Sequence, residues 1–183
     1  MDKRVDFIFR RRSIRQFLAK PVAEKDIGTL LEAGMAAPSA SNLKPWHFIA
    51  VTERKTLNAL ADAHPYGKML AQATLAIAVC GDPSVSERYW DQDGAAATEN
   101  ILLAAPALGL GAVWIGIHPH PSHPQAVARL LGMPEHVLPF CLVYVGYAAE
   151  NKPPRTHYDE KRVYWDRYEP RKRARPKNLK YKG

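Results

Sequence analysis

The chain has 183 residues, 46% hydrophobic and 24% charged, the size and composition of one ordinary domain that buries a core without disulfide or metal staples. Its net charge of +8 is a property of one end: residues 170–183 hold seven basic side chains and no acid, and the remainder is near neutral. A basic face on the folded body is thereby excluded, and the chain divides into a domain, 1–169, and a solvated basic tail, 170–183; a nucleic-acid contact is the weaker reading of a tail with one aromatic, Tyr181, and no recognition motif.

Residues 2–12 mix charged and apolar side chains, with Val5, Ile8 and Phe9 at helical spacing, and predict a short first helix and not a secretory leader. Pro21 closes the next turn, and a second helix is expected over 24–37, with Ile27, Leu30, Leu31 and Met35 inward and Pro38 marking its end. A polar loop, 39–44, leads to a strand at 46–52 and a helix at 54–63. A helical turn from Lys68 precedes the unbroken apolar run 75–80, a central strand. The alanine-rich helix over 91–108 should be kinked or cut short by Pro106. Gly109-Leu110-Gly111 then turns the chain into a strand at 112–117; a helix at 125–131, a long strand at 137–147 and an irregular arm from Pro153-Pro154 complete it. The alternation predicts a layered α/β or α+β class.

Residues 94–117 carry a single charge, Glu99, over a length sufficient to cross a bilayer. Asn100, Pro106, Gly109 and Gly111 interrupt the run, so it reads as a buried helix and strand, and the protein as cytoplasmic. Cys80 and Cys141, each in an apolar run, read as core thiols of a reducing compartment. His118, His120 and His123 alternate with prolines and have no carboxylate or thiolate beside them, which suits a stiff surface loop better than a metal site.

Three segments are more polar than structure alone demands. Arg11, Arg12, Ser13 and Arg15 fall within five residues: they suit a phosphate, through charge-assisted and bidentate hydrogen bonds, and equally a solvated helix end whose cations offset the helix dipole. Between two prolines, Pro38-Ser39-Ala40-Ser41-Asn42 presents small hydroxyl and amide groups that fit the edge of a flat heterocycle, or an ordinary connection. The third is Thr98-Glu99-Asn100 with its sequel 108–116. Its Gly-x-Gly follows a helix and precedes a strand, the reverse of a dinucleotide fingerprint, whereas Gly116 near a strand end would let a planar ligand approach the backbone.

In their order and spacing, Arg-x-Ser-x-Arg-x-Phe from Arg11, Pro-Ser-x-x-Asn-x-x-Pro-Trp from Pro38 and Gly-Leu-Gly-x-x-Trp-Ile-Gly from Gly109 resemble the nitroreductase family of flavoproteins, over most of the chain to about Tyr168. The resemblance implies an α+β fold, a mixed sheet sandwiched by helices, in an intertwined homodimer with FMN at the subunit boundary. It implies that Arg11, Arg12, Ser13 and Arg15 hold the phosphate and ribityl end, with Arg155 as a late contact to the same phosphate. Pro38, Ser39, Ala40, Ser41 and Asn42 would come from the other subunit to border the ring. Lys68 would lie at the pyrimidine edge, Ile115 and Gly116 beside the reactive nitrogen, and 158–168 in an arm embracing the partner. The phosphate carries about two negative charges near neutral pH, and cations offset the cost of drying it.

The activity so implied is hydride transfer from NADH or NADPH, through the flavin, to an electron-poor small molecule such as a nitroaromatic or quinone. No side chain serves as chemical catalyst, and no metal or membrane is involved. Other flavin reactions on the same scaffold (ene reduction, dehydrogenation, dehalogenation, flavin breakdown) and a non-catalytic flavin or nucleic-acid binding protein are the alternatives, because substrate choice lies in variable loops. Lys44, where many relatives of that family carry glutamine, departs from the pattern.

Overall fold

The computed structural model describes residues 2–65, 67, 71–119 and 123–168. Lys68, His120 and the basic tail 170–183 lie outside the described residues.

The expected first helix is cut short. A 3₁₀ turn, Lys3–Val5, and a brief helix α1, Asp6–Arg10, give way at Arg11, whose ψ of 114° is extended. The reason is capture by the sheet: the Ile14 amide donates to the Ala112 carbonyl at 3.0 Å, Ser13 bridges Ala112 in parallel, and Phe17 bridges Ala148 in antiparallel. The cations from Arg11 to Arg15 therefore lie on extended chain and not on a helix end.

The remaining elements follow the expected order. Helix α2 spans Glu24–Met35, strand β1 Trp46–Val51, helix α3 Arg54–Asp62 and strand β2 Leu75–Gly81. Helix α4 spans Trp90–Ala107, strand β3 Gly111–Gly116, helix α5 His123–Leu130 and strand β4 Leu138–Gly146. The sheet runs β1-β2-β4-β3 with each pair antiparallel; the bridge of Ser13 to Ala112 is parallel but isolated, outside the strands. β2 is buried along its whole length and β4 from Pro139 to Gly146, as their apolar runs require of central strands.

Side-chain alternation divides the core between two faces. Ala76, Ala78, Val113, Leu142 and Tyr144 pack on Leu57 and Leu60 of α3, Val127 of α5, and Ile14 and Phe17. On the other face Leu75, Ile77, Val143 and Val145 meet Leu30 of α2 and Ile101, Leu102 and Ala105 of α4. Helices thus sandwich the sheet, an α+β arrangement. Pro106 occupies the last turn of α4, where its missing N–H leaves one helical bond unmade, and the helix runs one residue beyond it. Gly109, at φ +72°, closes a Schellman cap in which Leu110 N donates to Ala105 O at 2.9 Å and Gly109 N to Pro106 O at 3.2 Å. Among the described residues no helix is long and apolar enough to cross a membrane.

Candidate functional site

The extended run from Arg11 is stitched to the chain beyond β4. Arg155 N donates to Phe9 O at 3.0 Å, the Arg12 guanidinium donates to the Pro153 carbonyl, and the Lys152 ammonium donates to Ser13 O at 2.6 Å. The Glu150 carboxylate accepts from Arg15 N at 2.6 Å, Gln16 N at 3.3 Å and Lys152 Nζ at 3.0 Å. The Arg15 amide is the leading cause that holds the Glu150 carboxyl below its ordinary range, with the Lys152 ammonium assisting. The Arg155 backbone is in this way tied to the end of α1, two residues before Arg11.

The arginines divide by direction. Arg12 and Ile14 line a cavity of about 150 Å³ with Gly111, Ala112 and Lys152, while Arg11, Ser13 and Arg15 are absent from its wall, as alternation along extended chain requires. Arg11 Nε lies 3.6 Å from Glu99 Oε1 of α4, and the Arg15 and Arg155 side chains are exposed. The rest of the third polar segment is structural. Thr98 Oγ1 donates to Gly94 O at 2.7 Å and lies 3.3 Å from Cys141 Sγ, and Asn100 Nδ2 donates to Ala33 O at 3.0 Å.

The loop after α2 is more constrained than an ordinary connection. Ser41, Asn42 and Lys44 all adopt left-handed backbone, with φ of 51°, 56° and 52°. Each such non-glycine residue costs roughly 1–3 kcal/mol and persists only where surroundings dictate it, a pattern that concentrates at functional sites. The surroundings are visible: Lys44 N donates to Ser39 Oγ at 3.0 Å, and Ala40 N to Asp93 Oδ1 of α4 at 2.9 Å. Asp93 and Glu99 lie six residues apart on α4, about 9 Å of helix rise, so one helix carries both the loop and Arg11. Asp93, Glu150 and Lys152 escaped the sequence reading; an aspartate in the first turn of a helix was the only local sign of the first.

At the far end of β3, Ile115 is buried and Gly116 exposed, and a Cβ built on Gly116 would meet nothing within 4 Å. Space for a flat group beside this backbone is therefore open. Cys80 and Cys141 are fully buried, and burial pushes both thiols up to about 12, which makes them core residues and not nucleophiles. His118 packs edge-on against Trp90 with ring centroids 4.7 Å apart. Among the described residues no three His, Cys, Asp or Glu side chains gather as a metal group.

Comparison with known proteins agrees with this geometry. The model of the nitroreductase family matches residues 8–64 and 62–147. A protein of Archaeoglobus fulgidus provisionally named NADH dehydrogenase/NAD(P)H nitroreductase is 44% identical over 155 residues, 83% of this chain and 89% of its own length. The crystal structure of a protein of the same provisional name from Bacteroides thetaiotaomicron superposes with a TM-score of 0.88 at 43% identity, over 92% of this chain and 99% of that one. A provisionally named nitroreductase of Desulfovibrio desulfuricans, solved in complex with FMN, superposes at 0.77 with 28% identity, over 92% of this chain and 99% of its own. By sequence and by fold, this chain belongs to the nitroreductase family.

Proposed function

We propose that the protein is an FMN-dependent oxidoreductase that takes reducing equivalents from NADH or NADPH and passes them to electron-poor acceptors such as nitroaromatics or quinones. The observation that supports this reading is the stitching of residues 150–155 to residues 9–16, which joins two distant chain segments that both carry cations. A cluster of guanidiniums beside a serine is the donor set that a phosphate dianion calls for.

In this reading Arg11, Arg15 and Arg155 neutralise the phosphate, and Ser13 donates a neutral hydrogen bond. Arg12 and Lys152 act one step removed, tying the two segments together through Pro153 O and Ser13 O. Pro38, Ser39, Ala40, Ser41 and Asn42 border the ring, with Ser41 and Asn42 in left-handed backbone. Ile115 and Gly116 give the ring a flat backbone surface, because Gly116 has no side chain to hold it off. Lys68 is assigned to the pyrimidine edge, where a fixed cation favours the reduced cofactor. Bound FMN supplies the hydride-accepting and hydride-donating chemistry, which accounts for a site without an acid–base pair or nucleophile.

The working unit in this proposal is a homodimer. Large apolar side chains stand exposed on the amino-terminal segment (Phe7 37%, Ile8 45%) and on the carboxy-terminal arm (Tyr158 74%, Trp165 85%, Tyr168 74%). A second copy of the chain that covers them would also bring its loop to the ring. Two buried free thiols and a pyridine-nucleotide donor fit a cytoplasmic enzyme. The test is a visible absorption spectrum of the purified protein, then anaerobic addition of NADH or NADPH. A yellow protein that bleaches is expected; a colourless protein that refuses added FMN refutes the proposal.

A further inference from the structure

Asp93 is 5% exposed, in the first turn of α4, and it has no place in the roles assigned above. Its Oδ1 accepts the Ala40 amide at 2.9 Å, while its Oδ2 is buried with no partner among the described residues. A buried carboxylate oxygen left unpaired is unfavourable, and an uncharged residue would fill the same space without it. Among the described residues, the one hydrogen bond of the Asp93 side chain outside its own helix is to the loop. Ala40 opens the stretch in which Ser41 and Asn42 turn left-handed, and Leu43 N returns to Ala40 O at 3.1 Å, so fixing the Ala40 amide fixes the start of the turn.

We propose that Asp93 is the positioning residue of the ring-bordering loop: its carboxylate, through Ala40 N, holds 39–44 in the conformation that receives the flavin. The inference rests on the flavin reading above. Asp93 touches no reacting atom; it acts through the backbone of Ala40, and the energy that binds the ring need not then be spent on ordering the loop. An acceptor at this place is what matters, and an asparagine supplies one.

The experiment compares the full-length wild type with Asp93→Ala and Asp93→Asn. FMN is titrated by quenching of its own fluorescence, and the melting temperature of the FMN-free protein is recorded beside it. Asp93→Ala is expected to raise the FMN Kd about tenfold, and Asp93→Asn to stay within about threefold of wild type. An alanine variant that binds FMN as wild type does, or an asparagine variant as impaired as alanine, overturns the proposal. Should the alanine chain not fold, Ala40→Pro removes the donor of the same bond at a helix-start position that tolerates proline, and the same tenfold weakening is expected; an unchanged Kd overturns the proposal. A wild type that takes up no FMN refutes the flavin reading itself, a result separate from any difference among variants.

Discussion

Replacing Gly111 by alanine should damage the fold and the cation cluster together. Gly111 opens β3 beneath Ile14, and a Cβ added there would lie 2.8 Å from Ile14 Cβ and Cγ2 and 2.9 Å from Cγ1. Carbon atoms pack comfortably at about 3.5–4.0 Å, so Ile14 must retreat by roughly 1 Å. It is 8% exposed, and the crowded atom includes its Cβ, so a rotamer change gives no relief and the backbone has to follow. That backbone holds the 3.0 Å bond from Ile14 N to Ala112 O and lies between Ser13 and Arg15. Overpacking of this kind costs about 1–3 kcal/mol, here in the upper part of that range because Cβ itself is crowded, and the stiffer unfolded chain offsets about 0.4–1 kcal/mol, which leaves about 1–2 kcal/mol. For a chain of this length the melting temperature should fall by about 2–8 °C. Thermal unfolding followed by circular dichroism, with and without FMN, measures it, and the FMN Kd should rise in parallel. A melting temperature within a degree of wild type would show that Ile14 gives way freely and that the segment is not held against β3 as described.

Gly116→Ala makes the complementary case: a Cβ there meets nothing, so the melting temperature should hold or rise slightly while FMN affinity drops severalfold, and unaltered affinity would place the flavin elsewhere. Arg155→Ala and Arg11→Ala should each weaken FMN binding about tenfold or more at low salt, with smaller losses at high salt, in an equilibrium titration. Glu150 has a folded pKa below its unfolded one, so its stabilisation is fully present above the unfolded value and is lost as pH falls through the folded value. Glu150→Gln should therefore cost about 1–2 kcal/mol in urea unfolding near neutral pH, and the loss should shrink in the acid range below pH 4. Cys80 and Cys141 should resist a disulfide thiol reagent at pH 8 in the native protein and titrate as two thiols in guanidinium; rapid native labelling would contradict their burial.

Much of the fold was legible because local pattern and tertiary environment agree. The apolar run at β2 reads as a central strand and is one; Leu30 of α2 and Leu57 and Leu60 of α3 point into the core. The first helix was overextended because its spacing speaks for residues 2–12 alone, and nothing local to Arg11 tells that Ala112 will capture Ile14. Pro106 leaves kink and early end open in the sequence, because only its place relative to the capping Gly109 decides between them. In the candidate site, the three motifs mark segments in the sequence but carry no sign of the contacts that fix them. A left-handed Asn42 is a familiar habit of asparagine, while a left-handed Lys44 requires a partner, Ser39 Oγ, that no propensity supplies. Asp93 sits 53 residues from Ala40, and Glu150 is 135 from Arg15, separations at which single-sequence reasoning has no purchase.

The seams between residues 9–16 and 150–155 have a bearing on biosynthesis. Their hydrogen bonds join positions up to 146 residues apart, from Phe9 to Arg155, so folding has to close long loops to make them. On a ribosome, α2, the four strands and α4 are complete before Glu150, Lys152 and Pro153 have been added. The core elements thus precede this late segment in synthesis, and under the proposed function a polypeptide terminated before it would carry its core elements but lack Lys152 and Arg155 for a phosphorylated cofactor.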